Sequence, residues 1–320
     1  MSQPLHTVAL FGPTGVGKTT VAIELGRRLR ARGEHPVAVS ADALQVYRGL
    51  ETLTGVASPT ERAELEHRLV SFLPLDASFS AGQYAELAHA EIDGALAEGR
   101  RPIVVGGTGL YLRAALTELA LRPPPAEGVR ERLSAELERY GSPALHARLA
   151  EHAGWAAREI DPNDRQRVVR ALELLEAGEL EPPEGPNQLW TKEVRRPTLL
   201  VGLVMEREAL YRRIDSRVQQ MLAAGASEDV RAAHAAGASH TARRALGFDE
   251  LLAGDVEAMK RRTRNYARRQ LTWMRKLAPP LTIDLTERSA AQAAEEILGA
   301  LAELPHPETG EPARTRLPPA

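Results

Sequence analysis

The chain of 320 residues contains no cysteine. That absence excludes a disulfide framework, a cysteine zinc site and a thiol nucleophile, and it fits a reducing compartment. Aromatic residues make up only 4% of the chain, which argues against a broad base-stacking platform. Long apolar runs are also missing. The first, Val8–Phe11, is too short for the core of a signal sequence, and none is long enough to cross a bilayer, so a cytoplasmic protein without membrane contact is expected. Nor is there an excess of charge of one sign. The net charge is −2, so a polyanionic partner must be held by a local basic patch. What the chain does have is 43% hydrophobic residues, enough to bury a sizeable core.

Short apolar runs at 7–11, 36–41, 101–107, 198–204 and 281–285 read as strands. Helical patterns lie between them, one closed by Gly33 and another, over 81–99, by Gly99. Such alternation predicts an α/β class fold: a P-loop NTPase-like parallel sheet flanked by helices. Between the breaks RPPPAEGV (122–129) and EPPEGP (181–186), Leu and Ala recur at helical spacing. We therefore expect a core over 1–113 and 197–302, an all-helical insertion over 114–196, and a Pro-rich disordered tail over 303–320.

After the first strand comes Gly12-Pro13-Thr14-Gly15-Val16-Gly17-Lys18-Thr19, which fits the phosphate-loop pattern G-x-x-x-x-G-K-[ST] between strand and helix. Glycines let backbone N–H groups turn inward around phosphate oxygens, and the helix N-terminus adds partial positive charge. Lys18 supplies a point charge, and the Thr19 hydroxyl suits Mg²⁺. The pattern specifies a polyphosphate, not a nucleotide. An ATPase of this class holds its metal with an acid at another strand end. Here the third strand ends in Gly106-Gly107-Thr108-Gly109, without a carboxylate. Asp42, after the second strand, is the acid at hand, as a metal ligand, a general base or a helix cap. The glycines at 106, 107 and 109 read either as a tight turn or as room for a ligand beside an exposed Thr108 hydroxyl. In a parallel sheet these loops share one edge.

The run 260–276 carries eight Lys/Arg and no acid, with Tyr266 and Trp273 interleaved. On a helix, Arg261, Arg264, Arg268 and Arg275 fall near one face, with Arg262, Arg269 and Lys276 beside them. This reads as a footprint for a nucleic-acid backbone or as a solvated face. A second cluster, DPNDRQRVVRALE, places Arg167 and Arg170 one turn apart beside Gln166, with Asp161 or Asn163 as the expected helix cap.

Four stretches, GPTGVGKT, SADALQVYRG, VVGGTGLY and RQLTWMR, together resemble the tRNA dimethylallyltransferases, the isopentenyl transferases of tRNA. DPNDRQRVVRALE resembles that family's motif in its helical insertion. The matches run in family order from about residue 5 to 276. The resemblance implies that the loop Gly12–Thr19 binds the diphosphate of dimethylallyl diphosphate, with Mg²⁺ on Thr19 and without ATP consumption. It implies transfer of the dimethylallyl group to N6 of adenosine 37 in tRNAs reading codons that start with U. Asp42 matches the family's catalytic aspartate. Thr108 matches a threonine at the reacting end of the diphosphate and near the tRNA, and Lys18 completes the catalytic set. Asp42, Ala43, Leu44 and Gln45, and Gln166, Arg167, Val168, Val169 and Arg170, match segments that contact tRNA. Arg130 aligns approximately with another contact. Arg268, Arg269 and Arg275 are assigned to phosphates of the anticodon stem–loop. Monomeric action is the family habit.

The family's D-S-x-Q reads Asp42-Ala43-Leu44-Gln45 here, G-T-A-K-P and H-H-L-I-D are replaced, and G-Y-K-E reads Gly247-Phe248-Asp249-Glu250. Lys18, Thr19, Asp42, Gln45 and Thr108 are intact. Three other readings are weighed. A P-loop small-molecule kinase leaves the basic helix unexplained. An adenylate isopentenyltransferase, acting on free AMP or ATP, needs no RNA clamp. A non-catalytic RNA-binding module has no use for the set Lys18, Thr19, Asp42 and Thr108.

Overall fold

The computed structural model describes residues 5–119, 121, 125–126, 128–182, 188–305 and 315–316. The strands are β1 (Thr7–Phe11), β2 (His35–Ser40), β3 (His67–Arg68), β4 (Arg100–Gly106), β5 (Glu193–Val194), β6 (Thr198–Val204), β7 (Leu281–Asp284) and β8 (Thr315–Arg316). The helices before the insertion are α1 (Lys18–Ala31), α2 (Glu51–Thr54), α3 (Pro59–Glu64), α4 (Ala81–Ala97) and α5 (Gly109–Leu116). Then follow α6 (Val129–Tyr140), α7 (Ser142–His152), α8 (Gly154–Glu159) and α9 (Arg165–Glu176). The C-terminal helices are α10 (Arg207–Ala223), α11 (Ala226–Ala235), α12 (Phe248–Leu252), α13 (Val256–Leu277) and α14 (Ala290–Glu303).

Two compact units result, one from Met1–Ala120 with Leu189–Ala320, the other from Leu121–Gln188. The helical unit is thus shorter than 114–196. The reason is local: α5 packs on α4 as part of the sheet unit, and β5 pairs antiparallel with β8. Of the tail expected to be disordered, Glu303 ends α14 and Thr315–Arg316 forms β8; residues 306–314 and 317–320 lie outside the described residues.

The first unit is built on a six-stranded sheet, ordered β3-β2-β4-β1-β6-β7, with every pairing parallel. The apolar runs form its centre because both faces are covered. Val8, Leu10, Ile103 and Val201 pack with Leu25 and Leu29 of α1 and Ile297 of α14 in one buried cluster. The register decides where function falls. Phe11 stands opposite Gly106 and Gly202, and Ser40 opposite Val105. So β1, β2 and β4 finish level, and the loops that follow them leave from one edge.

In the helical unit, Leu133, Leu137, Leu145, Leu149, Val168 and Leu172 form the core. Asp164, not Asp161 or Asn163, caps α9, accepting from Arg167 N–H at 3.1 Å. Asp161 instead accepts from the N–H of Asn163 at 2.8 Å, turning the chain one step earlier. The Glu173 carboxylate, 1% exposed, accepts from Arg130 at 2.7 and 2.8 Å and from Arg170 at 2.9 Å. Burial pushes that carboxyl up, but the two arginines outweigh it and hold it below the ordinary value.

Candidate active site

The phosphate loop connects β1 to α1, with Gly15 and Gly17 at φ 83° and 106°. That left-handed backbone suits glycine and turns the loop's amides toward its hollow. Gly17 caps α1 without any side-chain hydrogen bond, so the first amides of the helix stay available to an anion. Lys18 Nζ donates to the carbonyls of Gly12 and Pro13, each at 3.0 Å. Burial and the nearby Arg217 lower its pKa to about 8, with Asp42 opposing. Val16 is 0% exposed and is a core residue of the loop, not a ligand side chain. The Thr19 hydroxyl has no protein hydrogen-bond partner among the described residues, so this hard oxygen is left for a ligand.

Asp42 follows β2 but starts no helix. Its Oδ1 accepts from Leu44 N–H at 2.9 Å, which holds the carboxylate in a turn. The Asp42 charge acts on Lys18, on Arg217 and on the phenols of Tyr84, Tyr111 and Tyr266. It therefore sits among side chains from α1, α4, α5, α10 and α13. Gln45 is tied into the fold: it accepts from Ser40 Oγ at 2.8 Å and donates to the Gly55 carbonyl at 3.1 Å. Two further acids stand at strand ends, but both are committed to backbone turns. Glu206, after β6, accepts from Glu208 and Ala209 amides at 3.0 and 2.9 Å. Asp284 accepts from Thr286 N–H at 2.8 Å. Asp42 is held by a turn of the same kind, but it is the strand-end acid whose charge acts on Lys18.

The glycine-rich turn after β4 has a cause the sequence reading missed. Its glycines admit protein rather than ligand. A Cβ on Gly107 would lie 2.3 Å from Gln270 Nε2, and one on Gly109 would lie 2.1 Å from Trp273. Both side chains come from α13. That helix buries Met259, Thr263, Ala267, Gln270, Met274 and Leu277 along one stripe. Gln270, 4% exposed, donates to the Gly107 carbonyl and accepts from Thr14 N–H, both at 2.8 Å. It bolts the turn after β4 to the phosphate loop. Thr108 precedes α5 without capping it. Its hydroxyl meets Tyr266 Oη at 3.1 Å. Burial and Asp42 push the Tyr266 phenol up to about 12, so it is a neutral hydrogen-bonding group. Below, Tyr84 donates to the Ser40 carbonyl at 3.0 Å and packs on Tyr111 with ring centroids 4.6 Å apart.

The sequence reading also missed two cations of α10. Arg213 and Arg217 lie one turn apart on it. The Arg213 guanidinium rests 3.3 Å from where a Gly17 Cβ would stand. Arg217 is half-buried, and burial lowers its pKa against the pull of Asp42. With Lys18 they make three cations around the loop.

The basic helix α13 divides. Arg264 is paired with Asp215, Arg262 with Glu250 at 2.7 Å, and Lys260 with Glu257 at 2.6 Å. Arg268, Arg269, Arg275 and Lys276 have no carboxylate partner among the described residues. Arg269 lies over the Tyr266 ring at 5.5 Å, and Lys276 over Trp190, which packs on Trp273. In the helical unit, Gln166 and Arg167 are exposed, and Arg165 is paired with Glu138. Val168 and Val169 are 0% and 9% exposed in the core, which removes their side chains from any RNA-facing set. Arg130 and Arg170 already share Glu173.

This edge defines a P-loop α/β protein in which the phosphate loop is accompanied by Asp42 and the Thr108 hydroxyl, with no carboxylate at the end of β4. The chain belongs to the IPP transferase family, whose model matches residues 45–277. It is 39% identical to a tRNA dimethylallyltransferase of Symbiobacterium thermophilum over 310 residues, covering 93% of this chain and 95% of that one. A tRNA dimethylallyltransferase of Anaeromyxobacter is 40% identical over 293 residues, 87% of this chain and 96% of that one. The solved tRNA isopentenylpyrophosphate transferase of Bacillus halodurans superposes with a TM-score of 0.65 at 32% identity, over 93% of this chain and 97% of that one. A eukaryotic dimethylallyltransferase acting on tRNA shares the fold, with a TM-score of 0.71 at 22% identity, over 96% of this chain and 82% of that one.

Lys18 supplies a test of the phosphate loop. A lysine depressed to about 8 is partly neutral at that pH, and an anion on the loop restores its charge. Calorimetry in buffers of different ionisation enthalpy, with the anion's own titration subtracted, is expected to show more proton uptake on pyrophosphate binding at pH 8 than at pH 6. Lys18→Met is expected to abolish the uptake. Equal uptake at both pH values would contradict the assignment.

Proposed function

We propose that the protein transfers the dimethylallyl group of dimethylallyl diphosphate to N6 of adenosine 37 in tRNAs reading codons that start with U, releasing diphosphate. The observation that carries this reading is the pairing of a Lys18 phosphate loop with Asp42, without a carboxylate at the end of β4. That edge is built to hold a leaving group and accept a proton. Relatives of 39% and 40% identity that bear the name tRNA dimethylallyltransferase support it.

In the reaction, the bond between the allylic carbon and the diphosphate oxygen breaks and a bond from that carbon to N6 forms. Negative charge gathers on the diphosphate. The amides of the loop, Lys18, Arg213 and Arg217 stabilise it there. The N6 lone pair is delocalised into the adenine ring, so the amine is a weak nucleophile. Asp42 takes the N6 proton, and the Thr108–Tyr266 hydroxyl pair orients the reacting end. Mg²⁺ bound with the diphosphate supplies further charge neutralisation. Thr19 would hold it through its uncommitted hydroxyl, and phosphate oxygens and water suit the other positions of so hard an ion. The adenine must leave the anticodon-loop stack to reach this edge.

Arg268, Arg269 and Arg275 on α13, and Gln166 and Arg167 on α9, offer their charges and amide to the RNA backbone. In this reading the protein works as a monomer. No described helix is long and apolar enough to cross a membrane. A tRNA substrate places the work in the cytoplasm.

Incubation with unmodified tRNA carrying adenosine 36 and 37, Mg²⁺ and either dimethylallyl diphosphate or ATP tests the reading. Mass spectrometry of the digest is expected to show a dimethylallyl gain on adenosine with the diphosphate and none with ATP. ATP turnover without a gain would favour the kinase reading. Asp42→Ala is expected to lower kcat about 10²- to 10⁴-fold while leaving tRNA affinity nearly unchanged. Equal losses in both would remove the base role. Arg268→Ala with Arg275→Ala is expected to flatten the salt dependence of tRNA binding by about two units of slope; an unchanged slope would remove these two from the phosphate contacts.

A further inference from the structure

We propose that Gln270 sets the length of phosphate chain that the loop accepts: two phosphates enter, and a third is refused. This rests on reading the loop as a diphosphate site.

The ligands of such a loop are its backbone amides. In this protein they are unequally available. Val16 N–H is spent inside the loop on the Pro13 carbonyl at 3.3 Å. Thr14 N–H donates to Gln270 Oε1 at 2.8 Å. The amides of Gly15, Gly17, Lys18 and Thr19 have no acceptor among the described residues. The carboxamide oxygen therefore occupies the place where a phosphate oxygen would meet Thr14. That residue lies at the end of the loop away from α1, so its amide serves the phosphate farthest from the helix. A diphosphate gathered on the helix end leaves it unused. A triphosphate extends onto it.

The carboxamide cannot simply swing aside. Its orientation is forced, since Thr14 N–H only donates and the Gly107 carbonyl only accepts. Its Nε2 donates to that carbonyl at 2.8 Å. Gln270 is 4% exposed, and the lack of a Cβ on Gly107 is what makes room for it. Displacement would leave a buried carbonyl and a buried carboxamide unpaired, at a cost beyond that of making one ordinary hydrogen bond. Gln270 comes from the same helix as Arg268 and Arg275, so the element assigned to RNA also carries the gauge for the other substrate. A nucleoside triphosphate is thereby kept off a loop whose sequence pattern suits it.

The test is calorimetric binding of inorganic pyrophosphate and of tripolyphosphate, each with Mg²⁺, to the full chain and two variants. Gln270→Met keeps the volume and loses the hydrogen bonds to Thr14, Gly107 and the Tyr266 hydroxyl. Gln270→Glu keeps an acceptor toward Thr14 and loses the donor toward Gly107. The unmodified protein is expected to prefer pyrophosphate by about tenfold or more, and Gln270→Met to narrow that to about twofold. Gln270→Glu is expected to keep the preference while binding both anions more weakly. Thermal melts report whether each variant folds. A general packing role would lower both affinities together and leave their ratio alone. An unchanged ratio in folded Gln270→Met, a lost preference in folded Gln270→Glu, or no preference in the unmodified protein would each overturn the inference. If the unmodified protein shows no preference yet transfers the dimethylallyl group, only the gauge fails. If it binds neither anion and transfers nothing, the diphosphate reading fails with it.

Discussion

The buried carboxamide of Gln270 accepts from the phosphate loop and donates to the turn after β4. Through those two hydrogen bonds α13 holds two sheet-edge loops in a single arrangement. Loops are ordinarily the mobile part of such a fold. Here the loops after β1 and β4 start level because their strands are in register, and one side chain locks what the register begins. The absence of a Cβ at Gly107 and Gly109 is the complementary half of the same constraint. Gln270 and Trp273 lie where those side chains would be.

Electrostatics then divides labour along the edge. Lys18, Arg213 and Arg217 crowd one end, and burial together with mutual repulsion depresses Lys18 and Arg217. In the proposed function, an anion on the loop relieves that depression. Asp42 faces this cationic end and the neutral phenols of Tyr84, Tyr111 and Tyr266. In the proposed reaction, leaving-group charge and proton acceptance are thereby separated over a short stretch of one sheet edge. The cations of α13 are divided in the same spirit. Those near its start are neutralised by carboxylates of the fold, and those near its end remain for a polyanion.

The strands, the phosphate loop and the placing of Asp42 and Thr108 on one edge were legible because they depend on local pattern and parallel topology. The rest depends on tertiary contact. Arg213 and Arg217 look like any charged pair on an amphipathic helix until the helix is laid against the loop. The glycines at 106, 107 and 109 read from sequence either as a tight turn or as room for a ligand, but the partners of Gly107 and Gly109 lie some 160 residues further on in α13. Val168 and Val169 were grouped with RNA contacts by motif, although their helical spacing with Leu172 marks them as core. Gln270 did leave a signal. It is the amide in an otherwise apolar or small stripe running from Met259 to Leu277, save for Thr263, which bonds to the Met259 carbonyl of its own helix. A polar side chain at a core position implies a buried partner.

The central claim is that the two loops and α13 respond to a diphosphate as one body. Amide hydrogen exchange with and without Mg²⁺-pyrophosphate measures this most directly. Slowed exchange is expected together in segments 12–19, 106–109 and 263–277, with Gln270→Met uncoupling the last two from the first. Protection confined to 12–19 in the unmodified protein would contradict the account.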